Sequence, residues 1–560
     1  MDQLCDRRGI AYRVFVPPDV PPHGDAGGSG IERIADLLQK LPFGDLFCAA
    51  ENNDRGINAF RQCPEALRIA GIDGLHDVRA ELRGLIKQAA EASEIIKSGM
   101  TVAVGGYTSC GYPKAVIRAL ADRANAGEEL GLNVVSGSNN GIVDTSLAEA
   151  GAVARRAPMI ESKVIASQVN RGSVAYCEQQ MNKMPHLLRA EAFGHIDVAI
   201  VEAIAVNADG SFVPSSSVGF VPLLVELADR VIIEVNAAMP EQLEGMHDIY
   251  IPDGGPIPIT SAGQRIGVSS IACNVKKISA IVLSDEPDEV AALAPVKPEQ
   301  AAIADNLFNF LELEMTRRGI TQLPPVQTGF GSLAAEIVNA LGRASFNDIS
   351  FFGGVAQEAN IRLAASGKAK AISCGSVKMS SEVKKLIEEN EQVRRSVVIR
   401  NGEITNNSEV IARLAPITLT SGIEMDIYGN VNSSHIAGSK IVNGLGGGAN
   451  FAANAGLSVM MIASTGKGGA ISTIVPMVSH QDISEHDIDV VVTENGVADL
   501  RGKSDTERAR EIIENCAGAY KDQLRSYLDR AAAAGGHHPV LLDEALSWHI
   551  RLKKTGSMML

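Results

Sequence analysis

Aromatic side chains are scarce in this sequence. They make up 4% of 560 residues, with one tryptophan, Trp548. The cores must therefore be built from Ala, Val, Ile and Leu. C-x-x-C pairs are missing. The eight cysteines, at 5, 48, 63, 110, 177, 273, 374 and 516, stand far apart, which argues against zinc and suits free thiols in a reducing compartment. An excess of basic charge is missing too. Fifty-one Lys and Arg face 66 Asp and Glu, a net charge of −15, so no nucleic-acid partner is expected. No run of about 18 apolar residues occurs, so no membrane span is expected. The first residues, MDQLCDRRGIAYRVF, hold no apolar signal region, and the expected location is the cytoplasm. There is no G-x-S-x-G elbow, which speaks against an ordinary serine hydrolase. His435, His480 and His486 show no i, i+4 pairing, so no metal site is expected.

What the sequence does hold is an alternation of strand-like and helical runs. The length allows two or three domains. Residues 1–30 end in PPDVPPHGDAGGSG, which reads as a linker, and IERIADLLQKL reads as a short helix in an extension reaching residue 75. From residue 76 the pattern is regular. HDVRAELRGLIKQAAEASEII reads as a helix, TVAVGGYT as a buried strand running into a glycine turn, and PKAVIRALADRA as the next helix. NVVSG, VIASQ, IDVAIVEAIAV, RVIIEVN, VSSIACNV and KISAIVLSD are further β-branched runs. A long helix over 301–319 marks the expected domain boundary, and a second alternation follows. The expected class is α/β with mostly parallel sheets. The expected domains are 76–319 and 320–535, with an extension over 1–75 and a tail over 536–560.

Glycine is concentrated in DIYGNVNSSHIAGSKIVNGLGGGANF, residues 426–451. Gly444, Gly446, Gly447 and Gly448 fall within five residues. A loop this poor in side chains lets a ligand reach backbone N–H groups, which suits a phosphate or a developing oxyanion. The plainer reading is a tight turn. Gly444-x-Gly446-x-x-Ala449 also fits a dinucleotide fingerprint, but the stretch about 20 residues on, STGKGG, carries no acid to hold a ribose. Gln327-Thr328-Gly329-Phe330-Gly331-Ser332 is a glycine turn entering a helix, with Ser332 as the expected N-cap. Lys467 stands among glycines, where it can meet a phosphate as a point charge.

Several longer pieces carry a family resemblance. GYPKAV (111–116), DVAIVEA (197–203), LEGMHDIY (243–250), EMDIYGNVNSSHIAGS (424–439), GGAISTIVPMVSH (468–480) and VVTENGVADLRGKS (491–504) resemble the acetyl-CoA hydrolase/transferase family in the same order. Within it the sequence most resembles succinyl-CoA:acetate CoA-transferases. The resemblance implies two CoA-transferase-like α/β domains with the site between them, and a homodimer or other homo-oligomer. It implies coenzyme A as substrate, no permanently bound cofactor, and a short-chain acyl-CoA and a carboxylate as partners.

By position, the resemblance implies that Gln327–Ser332 and Lys467 touch CoA. It implies that Gly444–Phe451 faces the thioester, with the N–H near Gly448 at its oxygen, and that Asn406 lies beside the reacting centre. One position departs. Relatives read F/Y-T-E-V-x-Q-D, and their glutamate forms the covalent intermediate. Here the stretch is Phe352-Gly353-Gly354-Val355-Ala356-Gln357-Glu358, so Gly354 stands where that glutamate would be. Glu358 and Glu494 are the two carboxylates weighed as substitutes. The implied function is movement of CoA between a short-chain acyl group and a carboxylic acid or water. The alternative is a non-catalytic CoA or acyl-CoA binder, or a partner subunit.

Overall fold

The computed structural model describes residues 3–5, 11–13 and 79–559. The chain forms two compact units, 1–63 and 64–560. In the first, Gln3–Cys5 and Ala11–Arg13 pair antiparallel. The linker and helix expected between residues 14 and 75 lie outside the described residues.

Two large sheets organise the second unit. The first runs, in spatial order, Ile278–Ser284, Arg230–Asn236, Val198–Val206, Thr101–Val104, Leu132–Ser136, Val153–Ala157 and Ala175–Tyr176. These strands are all parallel, and Phe212–Pro214 adds an antiparallel partner to Val198–Val206. Val198–Ala203 is buried without a break. This is what a strand covered by helices on both faces needs, and it explains the apolar run that Glu202 alone interrupts.

The second sheet runs His247–Asp248, Val397–Arg400, Ala369–Cys374, Ile349–Phe352, Val326–Thr328, Ile417–Ser421, Leu457–Met461, Val490–Thr493 and Gly496–Asp499. Only the last pair is antiparallel. His247–Asp248 stands ahead of the expected boundary at 319, yet it belongs to this sheet.

Thr101–Val104 stands mid-sheet in the first sheet and Val326–Thr328 mid-sheet in the second. Later strands extend to one side, and the chain then crosses to the other. The carboxyl ends of Thr101–Val104 and Val326–Thr328 therefore lie at topological switch points, where loops part and open α/β sheets bind ligands. The loops there are Gly105–Lys114 and Gly329–Gly331.

Four local expectations are corrected. VIASQ lies in a helix, Lys163–Asn170, because the Ser162 hydroxyl caps it by accepting from Val164 N at 3.0 Å. That cap overrides the β-branched run. The helix expected over 76–96 is broken, within the described residues, into Arg79–Gly84 and Ala89–Ser93, with Ile86 bridged to Ile281 between them. VSSIACNV supplies two isolated bridges, Val268 to Ile249 and Ile271 to Phe212, rather than a strand. Ser332 is the first helical residue of Ser332–Arg343, not its cap. Gly331 holds the cap position at φ 105°, and the Ser332 hydroxyl donates to Ala294 O at 2.7 Å.

The long helix spans Pro298–Arg318 and ends on Gly319 in the left-handed conformation, φ 64°, the usual stop for a helix. Beyond residue 536, the helix Ser547–Thr555 packs Trp548 against Tyr520, ring centroids 5.5 Å apart. Among the described residues, no helix is long and apolar enough to cross a membrane.

Candidate active site

The loop after Thr101–Val104 is held by buried charge. Lys114 lies 2.6 Å from Glu202 and 2.8 Å from Asp288, all three groups being buried. Asp288 also accepts from Gly111 N and Ser216 Oγ, and Glu202 from Ser215 Oγ and Asn236 Nδ2. A buried ammonium between two carboxylates persists only when so compensated. Burial pushes the Glu202 carboxyl up to about 7, against the pull of Lys114. The Glu234 carboxylate accepts from the N–H groups of Lys114, Ala115 and Val116, and so satisfies the start of the helix Ala115–Asn125.

This frame presents Tyr107. Its ring lies among glycines. A Cβ built on Gly219 or Gly375 would stand 2.8 or 3.0 Å from Tyr107 atoms, so neither position admits a side chain without a shift. Phe220 meets the ring edge-on at 6.2 Å. The Tyr107 hydroxyl accepts from Asn406 Nδ2 at 2.7 Å. Burial pushes this phenol up to about 12, so it stays protonated at neutral pH.

Gly354 faces the same ring from the second sheet. A Cβ there would lie 3.5 Å from Tyr107 Cε1 and 3.7 Å from its hydroxyl, which is ordinary contact. The fold therefore does not require glycine at 354. The backbone is occupied, since Gly354 O accepts from Gly375 N and Ser376 N.

Gln357 ties this segment to the switch-point turn. Its Oε1 accepts from Gly331 N at 3.2 Å, and its Nε2 donates to Gly329 O at 3.4 Å. Phe330, at the turn's tip, is 49% exposed. Lys378 sits over its ring at 4.9 Å and donates to Thr108 O at 2.6 Å, joining the two switch-point loops through a cation–π contact and a hydrogen bond. Thr108 Oγ1 meets Ser376 Oγ at 2.5 Å. Gln327 and Thr328 close the strand before the turn, and Gln327 Oε1 is buried with no hydrogen-bond partner among the described residues.

The four clustered glycines have different reasons to be glycine. A Cβ on Gly444 would stand 2.4 Å from Met159 Cγ and 3.0 Å from its Cα, so this loop packs directly on the first half of the chain. Gly446 has φ 64°. A Cβ on Gly447 would meet Asn406 Oδ1 at 2.7 Å. Gly448 is different: its nearest contact would be Thr420 Cγ2 at 3.9 Å. The chain's own packing does not require glycine there. Gly448 opens the helix Gly448–Ala453, whose first N–H groups have no partner within the helix. A cavity of about 380 Å³ adjoins this helix, lined by Ala449 and Asn450 together with Asn182, Ser408 and Asp482.

The remaining candidates lie elsewhere. Glu358 gives its carboxylate to Ser380 Oγ and Arg362, both at 2.6 Å. Glu494 accepts from Ser464 N and Ser464 Oγ, which braces the turn before Lys467. Lys467 is exposed at φ 52°, and its ammonium has no hydrogen bond or ion pair among the described residues. The structure thus brings together Gly354, Asn406, Gly447 and the 327–332 turn around Tyr107. It commits Glu358 and Glu494 to other partners.

Comparison with known proteins decides the family. A model of the acetyl-CoA hydrolase/transferase N-terminal domain matches residues 76–283, and a model of its C-terminal domain matches residues 383–528. The chain belongs to the acetyl-CoA hydrolase/transferase family. Succinyl-CoA:acetate CoA-transferase of Clostridium kluyveri is 41% identical over 488 residues, 85% of this chain and 91% of the relative. An acetyl-CoA hydrolase of Saccharomyces cerevisiae is 35% identical over 503 residues, 84% of this chain and 95% of the relative. RipA of Yersinia pestis shares the fold with a TM-score of 0.64 at 21% identity, covering 81% of this chain and 99% of that one.

Within this acetyl-CoA hydrolase/transferase scaffold, sequence reasoning missed Tyr107, Gln357 and Lys378 as site residues. Tyr107 carried a signal, a glycine turn directly after a buried strand, but only the strand order marks that turn as a switch point. Gln357 stands at the glutamine of the relatives' F/Y-T-E-V-x-Q-D stretch, and its side-chain role is visible only in three dimensions. Lys378 had no sequence signal.

Proposed function

We propose that this chain binds CoA thioesters where the two switch-point loops meet, and moves CoA between a short-chain acyl group and a carboxylic acid or water without a glutamyl intermediate. Family membership and the names of the relatives, which include transferases and hydrolases, support the substrate class. One observation carries the rest. Gly354 faces Tyr107 with room for a side chain it lacks, beside an Asn406–Gly447 wall and the turn 329–331.

Without a carboxylate at 354, no acyl anhydride or thioester forms on the protein there. The remaining route is direct. An acceptor carboxylate oxygen attacks the thioester carbonyl, and CoA thiolate leaves a mixed anhydride. The thiolate then attacks the acceptor's carbonyl and expels the original acyl group as a carboxylate. With water as the attacking group, the products are free CoA and a carboxylic acid. The Gly448 N–H is the donor assigned to the oxyanion, and oxyanion stabilisation alone retains roughly 10³–10⁴-fold over water in other acyl-transfer enzymes. Turnover is therefore weak. The protein acts in the cytoplasm as a homo-oligomer, and the transfer chemistry itself uses no resident cofactor.

A second reading, a non-catalytic CoA or acyl-CoA binder or partner subunit, draws on the engagement of Glu358 and Glu494 elsewhere. Calorimetry with CoA and acetyl-CoA, paired with an acetyl-CoA and succinate turnover assay, separates the two. Binding with succinyl-CoA formation or thioester hydrolysis supports the first reading. Binding without turnover supports the second. Absence of binding by either ligand rejects both.

A further inference from the structure

Three side chains that this chemistry does not use meet beside the glycine loop. Glu178, His435 and His480 each place a ligand atom within 4.8 Å of the other two. His480 follows His435 by 45 residues, so no local spacing announces the pair. Folding stacks the two imidazoles with centroids 3.9 Å apart and planes inclined by 39°.

Both rings are oriented by one carboxylate. Asp482 Oδ1 lies 2.9 Å from His480 Nε2. Asp482 Oδ2 accepts from Ser434 Oγ at 2.8 Å, and that hydroxyl lies 2.8 Å from His435 Nδ1. Asp482 is fixed in turn by the N–H and hydroxyl of Ser433, at 2.6 and 2.9 Å. Among the described residues, one nitrogen of each ring remains without a hydrogen bond. Glu178 has one oxygen on Leu445 N at 2.8 Å, and its other oxygen remains. A histidine whose second nitrogen is held by a carboxylate, directly or through a hydroxyl, is the arrangement that orients metal-bound imidazoles.

We propose that Glu178, His435 and His480 bind one divalent transition-metal ion of the zinc class, with Asp482 positioning both rings. Two imidazoles and a carboxylate form a three-ligand set that zinc accepts with a fourth position open. Tetrahedral ligands about 2 Å from the ion stand roughly 3.3 Å apart, so the three half-buried side chains, now within 4.8 Å of one another, close by at most about 1.5 Å on binding. Because Glu178 also holds Leu445 N, the ion fixes the glycine loop from below. The spacing argument against a metal misses this site, since it tests neighbours along a helix and not across the fold. A second group, Glu485, Asp505 and His538, meets the same distance limit. It offers one imidazole, already 2.8 Å from Asp505, and serves as the control.

The test uses full-length protein stripped by a chelator and titrated with Zn²⁺, then with Co²⁺. Bound metal is read by elemental mass spectrometry after gel filtration, and Co²⁺ geometry by visible ligand-field absorption. One equivalent with a tetrahedral Co²⁺ spectrum is expected in the wild type and in His538→Ala. His480→Ala, at a side chain 35% exposed, is expected to lose it while keeping a native circular dichroism spectrum. Asp482→Asn is expected to weaken Zn²⁺ about ten- to a hundredfold. Absence of bound metal in the wild type overturns the proposal. So does an equivalent that survives His480→Ala or vanishes in His538→Ala.

Discussion

Asn406 donates its Nδ2 hydrogen to the Tyr107 hydroxyl at 2.7 Å, across 299 residues of chain. Both residues are buried, so the bond pins the second half of the chain to the first at the candidate site. Removing either partner has a different cost. Tyr107→Phe deletes the acceptor while Asn406 Nδ2 keeps Thr405 Oγ1 at 3.1 Å, and is expected to cost about 1 kcal/mol. Asn406→Ala strands a buried hydroxyl and is expected to cost roughly 1–3 kcal/mol. The double variant should cost less than the sum, as read by denaturant unfolding in a double-mutant cycle. Strict additivity would mean that the bond contributes nothing.

Gly354→Glu is expected to create covalent transfer. The position tolerates a Cβ, so the variant should fold as the wild type does. Acetyl-CoA should then yield a glutamyl-CoA adduct at 354, trappable with borohydride, and succinate-dependent turnover should rise by about two orders of magnitude or more. Gly354→Ala should leave turnover and stability unchanged. A correctly folded Gly354→Glu protein that binds acetyl-CoA yet forms no adduct would show that more than the nucleophile is missing.

Gly447 and Gly448 are neighbours with opposite expected behaviour. Gly447→Ala drives a methyl against Asn406 Oδ1 and is expected to cost roughly 1–3 kcal/mol of stability. Gly448→Ala meets only Thr420 at normal distance, so stability should hold while acetyl-CoA affinity falls about tenfold through lost backbone access. Thermal melts and calorimetry on the two variants test the contrast. Unchanged affinity in Gly448→Ala would remove Gly448 from the ligand site.

Lys467→Ala is expected to leave the fold intact, because the side chain has no hydrogen bond or ion pair among the described residues. If its charge meets CoA phosphate, CoA affinity should fall several-fold at low salt, and the difference from wild type should shrink as salt screens the pair. A constant difference across salt would rule out that electrostatic role.

His247 sets an acid limit on stability. It is 2% exposed, with Nε2 at 2.9 Å from Ser215 O. Burial lowers its folded value from 6.5 to about 4. Between those values the unfolded chain binds a proton that the native protein refuses. The contribution is therefore full above pH 6.5 and is lost as pH falls towards 4. A shift of this size corresponds to about 3 kcal/mol. His247→Gln keeps a donor near Ser215 and removes the titration. Its unfolding free energy should fall less than that of the wild type between pH 7 and pH 4. Parallel curves would show that His247 is not the titrating group.

The strand runs and the family motifs were legible in the sequence because burial on both faces leaves apolar stretches rich in β-branched residues, as at Val198–Val201. The helix at Lys163–Asn170 was not, since its β-branched start misleads and the Ser162 cap decides. The glycines at 444, 446 and 447 were legible as a loop. What each excludes, Met159, a right-handed backbone or Asn406, depends on partners remote in sequence. Tyr107 and Lys378 were silent for the same reason. The His435–His480 stack was invisible because the short strand His435–Ile436 and a loop remote from it in sequence create it.

The strand His247–Asp248 has a consequence for the inheritance of the two halves. Asp248 is the buried carboxylate that pairs with Arg400, itself fully buried in the second sheet. Arg265 reaches from the same segment to Val397 O at 3.0 Å. A gene divided at the long helix would give one product the buried Arg400 guanidinium and the other its counter-charge, at the cost of an unpaired buried charge. Chimaeras are expected to keep this pairing where residues 247–265 travel with the second half. The pair is thus a lock against shuffling as well as a fold contact.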